Sequence, residues 1–264
     1  MSTDTSKADD ESTQSLIDEL NNTSAVMLTL LGAHAPDLDT RDYNPSDIET
    51  YVLLLLRRAS SRSKDLALLL SKNRFDSAVV LGRSILEISC TAYNLMDDTV
   101  SESDRRALMA TIVEKDTYLE KKQLAAVNVG TISGSLLDYT EFINKTYTWV
   151  TRLSGKGRRV PKYGETLDRM FGGVTNLGSY WYGALSRTSH GAYLDVKISR
   201  ASASGDKSKA LVINMVPVVI ALRSSSETWL IKYGRGYELP EITGALSSLF
   251  RSTLTTNQGS GSNV

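Results

Sequence analysis

Residues 73–98 read Asn-Arg-Phe-Asp-Ser-Ala-Val-Val-Leu-Gly-Arg-Ser-Ile-Leu-Glu-Ile-Ser-Cys-Thr-Ala-Tyr-Asn-Leu-Met-Asp-Asp. Their apolar positions cover too much of a helix for a surface element. At about 100° per residue, Phe75, Val79, Leu86, Cys90 and Tyr93 lie on one side, and Leu81, Ile85, Ile88, Ala92 and Met96 carry that surface past half the circumference. The pattern predicts a central, mostly buried helix. Its remaining strip holds Asp76, Arg83, Ser84, Glu87, Thr91 and Asn94, with Arg83 and Glu87 one turn apart. An unpaired buried charge costs several kcal/mol, on the order of a domain's whole stability margin, so the strip must face a polar cavity or pair with another helix.

The rest of the chain suits a helical setting. Among 264 residues there are only 5 prolines, and leucine- and alanine-rich segments run long without turn signals. We expect a single all-α bundle of about seven or eight helices, spanning residues 13–255 between a disordered acidic tail (1–12) and a Gly/Ser-rich tail (256–264). The 30 basic residues balance the 30 acidic ones, so net charge points to neither nucleic acid nor membrane, and any such partner must be found by a local patch. The longest apolar runs fall far short of the roughly 20 residues that cross a bilayer, so no membrane partner is expected. The acidic start is no secretory signal, which makes the cytoplasm the expected compartment. Cys90, the single cysteine, reads as a buried structural thiol, and with two histidines a zinc site is not expected, nor any other metal or cofactor.

Outward from the central segment, helices are expected at about 15–31, 44–71, 101–127, 136–153, 164–171, 176–193, 211–233 and 241–255. Asn44-Pro45-Ser46-Asp47 is a helix start, with Gly172-Gly173 a stop and Pro217 a kink in the buried segment after Leu211. His34, beside the turn after the first helix, reads as a surface or capping residue. Between Arg57 and Arg74 six cations face Asp65 alone, a local +5 that reads as a solvated face or an anion-binding surface. Lys156, Arg158 and Arg159 lie in a Gly-containing basic loop that lacks the phosphate-loop pattern but would suit contact with a phosphate backbone.

A second polar stripe lies on the segment 176–193. Tyr182, Ser186 and His190 fall at i, i+4 and i+8, while Trp181, Ala184, Leu185 and Thr188 supply packing. If this stripe faces the strip on residues 73–98, Arg83, Glu87, Tyr182, Ser186 and His190 form one buried polar cluster.

Arg83-Ser84-Ile85-Leu86-Glu87, followed by Tyr182-Gly183-Ala184-Leu185-Ser186-Arg187-Thr188-Ser189-His190-Gly191, resembles the two signature segments of a bacterial all-helical family of unknown function. The resemblance covers roughly residues 45 to 195 and implies a fold more than an activity, with phage defence as a setting. Such families are distantly similar to the HEPN ribonucleases, which carry an Arg and a His with four to six residues between them. Here only two residues separate Arg187 from His190, so that spacing is not met.

Two functions fit these residues. In the first, the chain is a non-catalytic sensor or partner-binding module, homo-oligomeric through its apolar faces, whose polar cluster fixes helix register and whose partner is a protein, RNA or a nucleotide. In the second, it is a metal-independent ribonuclease of the abortive-infection type. His190 would then move the proton, Arg83 or Arg187 would stabilise the charge on phosphate, and Glu87 would orient them. In that reading Tyr182, Ser186, Arg187, Lys156, Arg158 and Arg159 would bind substrate.

Overall fold

Asp47 starts a helix by accepting a hydrogen bond from the Thr50 amide at 3.2 Å, which satisfies one of the amides a helix N-terminus leaves unpaired. This is α2, Ile48–Ser71; it follows α1, Thr3–His34, and is followed by α3, Phe75–Met96. The computed structural model describes residues 3–38, 47–110, 112, 162–173, 176–189, 207–233 and 238–241. Four more helices complete the described part: α4 over residues 102–110, α5 Tyr163–Met170, α6 Leu177–Ser189 and α7 Lys207–Tyr233. The architecture is all-α, with seven helices and no strand among the described residues.

Several boundaries follow the local signals. The α2–α3 turn puts Asn73 at φ 54°, a left-handed conformation that asparagine tolerates. After α5 comes Gly172 at φ 73°, and the Gly173 amide returns to the Asp168 carbonyl at 2.9 Å, closing the helix end. The segment around Pro217 is helical from Lys207 onward, which settles its β-branched opening as helix rather than strand. The first helix departs from expectation. It begins at Thr3, in the stretch read as a disordered tail, because no Gly or Pro interrupts residues 3–15 and a helix already nucleated on Leu16, Ile17 and Leu20 extends at little further expense.

Four helices form the frame. α1 packs on α2, α2 on α3, α3 on α7 and α7 on α1, while α5 and α6 pair with each other and lean on α3. Leu16 and Leu20 share a cluster with Leu66 and Leu70, whereas Leu31 joins Val52 and Leu53, so α1 and α2 run antiparallel. α7 runs parallel to α3. A Cβ on Gly82 would lie 3.0 Å from Met215 Sδ near one end, and Lys232 reaches the Met96 carbonyl at the other.

The expected central helix is α3, which touches α2, α5, α6 and α7; Ile85, Leu86 and Cys90 are fully buried and Ile88 packs at the edge of the core. The helix expected at 136–153, most of the one at 101–127, the segment 190–206, the last helix and the C-terminal tail lie outside the described residues. Among the described residues no helix is long and apolar enough to cross a membrane.

Candidate functional site

The polar strip of α3 meets α6 through one carboxylate. Glu87 Oε1 accepts from Arg83 Nε at 2.8 Å, one turn back on the same helix, and from the Tyr182 hydroxyl on α6 at 3.0 Å. The Arg83 guanidinium carbon also stands 5.9 Å from the centre of the Tyr182 ring, within cation–π range. Tyr163 of α5 adds a tilted ring contact to Tyr182 at 5.5 Å.

Two of the three groups hold their protons tightly. Burial and the neighbouring Glu87 carboxylate, helped by the hydrogen bond to it, push Tyr182 up to about 12, against the opposing pull of Arg83. Burial lowers the proton affinity of Arg83, but the bond and charge of Glu87 outweigh it, and the guanidinium ends above its ordinary value.

The cluster is half-buried rather than buried. The side chains of Arg83 and Glu87 keep 20% and 30% of their exposure. Ser186 stands half-buried one turn beyond Tyr182. The structure thus brings Arg83, Glu87 and Tyr182 together. His190, Lys156, Arg158 and Arg159 lie outside the described residues, and of Arg187 only the helical backbone is described.

No family model, curated protein or solved structure matches this chain.

A second polar junction lies further up α3. Thr166 and Asn94 are buried and bonded to each other at 3.0 Å, while Arg169 donates to Asn94 Oδ1 at 2.6 Å and to the Asp97 carboxylate. With the Cys90 thiol facing the Tyr163 carbonyl at 4.0 Å, α5 is tied to α3 at three successive turns. Sequence reading placed Asn94 on the polar strip but missed its partners. The signal was there, since Tyr163, Thr166 and Arg169 recur every third residue on one face of the short helix.

The cysteine is inert. Full burial pushes the Cys90 thiol far above its ordinary range, which removes it as a nucleophile. His34 ends α1 with its ring edge-on to Trp229 at 5.3 Å and Nε2 3.6 Å from Glu49. Among the described residues no three His, Cys, Asp or Glu side chains gather closely enough to hold a metal ion.

Proposed function

We propose that the chain is a non-catalytic helical binding module, in which Arg83, Glu87 and Tyr182 hold α6 in register on α3. The observation that carries this reading is the double engagement of one Glu87 oxygen, which takes Arg83 Nε and the Tyr182 hydroxyl together. A general acid or base works best with a proton affinity near the operating pH. Arg83 and Tyr182 both lie far above it, and Glu87 is held by two donors. Such a network suits positioning: it gives α6 one angular setting on α3.

The test combines stability with chemistry. Tyr182→Phe should lower unfolding stability by about 1 kcal/mol, the net value of one hydrogen bond, and Glu87→Ala by about 1–3 kcal/mol because it leaves Arg83 half-buried without its carboxylate. Wild-type protein incubated with total RNA or transfer RNA under chelator should leave both intact. RNA cleavage that disappears in His190→Ala while the melting curve stays unchanged would overturn the reading.

A further inference from the structure

The outer face of α2 is rich in cations. At about 100° per residue, Arg58, Ser61, Lys64, Asp65, Leu68 and Lys72 fall within one arc opposite the buried Ala59, Ser63, Leu66 and Leu70. All six are exposed, and so is Arg74 in the turn that follows. Leu68 keeps 59% of its surface in water.

The cations of this face outnumber its acids: Asp65 is the one acid in the arc, and Asp76 lies beyond the turn at the start of α3. Elsewhere Arg83, Arg106 and Arg223 each have a glutamate one turn away, and Arg105 and Arg169 pair with Asp98 and Asp97. Of the residues three and four places from Arg58, Lys64 and Lys72, the one acid is Asp76, four places past Lys72 at the start of α3. The crowding is felt at Arg62, whose proton affinity is lowered by burial and by Arg58, with Asp65 opposing. In a protein of zero net charge this is a local excess of positive charge.

We propose that this face docks an acidic amphipathic helix of a partner protein, with Leu68 against an apolar side chain and Arg58, Lys64, Lys72 and Arg74 against carboxylates. The inference rests on the binding-module reading and names the partner class. A phosphate backbone fits less well. Asp65 stands in the arc midway between Arg58 and Lys72, seven residues from each, where a phosphate would meet a carboxylate, and Leu68 would gain nothing from a sugar–phosphate edge. A protein helix can set an apolar residue over Leu68 and leave Asp65 a cation or water.

The probe is a labelled synthetic helix of repeated Leu-Glu-Glu-Ala-Leu-Glu-Glu units, titrated by fluorescence anisotropy against the full chain. Binding should be detectable at low ionic strength and weaken as salt rises. The double variant Lys64→Glu with Lys72→Glu, and Leu68→Ser separately, should each lose about tenfold or more in affinity while melting as the wild type does, since these side chains lie on the surface. Absence of peptide binding would overturn the proposal. So would equal affinity in the variants, or polyuridylic RNA binding through the same lysines where the peptide does not. A protein that cuts no RNA and binds no acidic helix loses this surface but keeps the binding-module reading, whereas RNA cleavage dependent on His190 removes that reading whatever the peptide does.

Discussion

Glu19 is the most demanding single residue of the described structure. It is nearly sealed from solvent on α1 and accepts from Arg223 of α7 at 2.7 Å, with the Thr23 hydroxyl at 3.3 Å as a further donor, while Arg223 is shared with Glu227. Glu19→Ala would leave the Arg223 guanidinium in a closed site with only a half-exposed partner, so a loss of about 3–5 kcal/mol is expected by denaturant titration. Tyr182 behaves differently, and its effect appears in alkali. Its folded pKa lies above the ordinary value of 10.0, at about 12, so the stability it contributes is present below pH 10.0 and is lost as pH rises toward 12. The wild type should lose stability over that window, and Tyr182→Phe should flatten the loss; absorbance of the ionised phenol in the native protein should rise late. Residue-level legibility divides along the same lines. Arg83 and Glu87 share one helix, and Tyr182 stands on a stripe whose period is readable, so their meeting was open to sequence reasoning. The partners Glu19 and Arg223 are 204 residues apart, and nothing local in either segment points to the other.

At the scale of elements, the α5–α6 hairpin depends on two glycines that let backbones touch. A Cβ on Gly178 would come within 2.5 Å of the Asp168 amide and 2.6 Å of the Gly164 carbonyl, and a Cβ on Gly164 within 2.7 Å of Ser179 Cα. The close approach is used: Asp168 accepts from the Gly178 amide at 2.6 Å and so caps α6 from a neighbouring helix. Gly178→Ala should therefore cost about 1–3 kcal/mol through forced backbone movement. Gly32 supplies the contrast, since a Cβ there meets nothing within 4 Å and the residue is helical. Gly32→Ala should raise stability by about 0.5–1 kcal/mol, and paired thermal melts of the two variants would show shifts of opposite sign. The existence and type of these elements were legible because Gly172-Gly173 and Asp47 carry explicit stop and start signals. Extension of α1 back to Thr3 was not, because that stretch carries too little apolar surface to announce a helix and follows the packed part of α1.

For the whole molecule, α7 closes the frame, packing on α1 and α3 through Met215, Val216, Val218, Val219 and Leu222. A chain ending at residue 206 should keep helical content but bind a hydrophobic dye and lose its cooperative melt; a sharp transition in that fragment would contradict the role given to α7. Acid should weaken the same closure. Asp98 bonds Lys232 of α7 and Arg105 of α4, and mainly the Lys232 bond holds its carboxyl below the ordinary range, so its contribution is present above that range and is lost as pH falls through the lowered value. Asp98→Asn should make the acid limb of the stability curve shallower. The all-α class and the central place of α3 were written in local apolar periodicity, whereas the order of helices around the frame depends on pairings between distant segments. The Glu19–Arg223 pairing also orders events on the ribosome. Glu19 emerges early and Arg223 arrives 204 residues later; until then α1, α2 and α3 offer their apolar faces to water with a carboxylate waiting among them. The nascent chain must hold an unfinished helical sheaf in solution until the segment carrying Arg223 has been made, which makes the interval before α7 appears a time of exposure to aggregation and to chaperones.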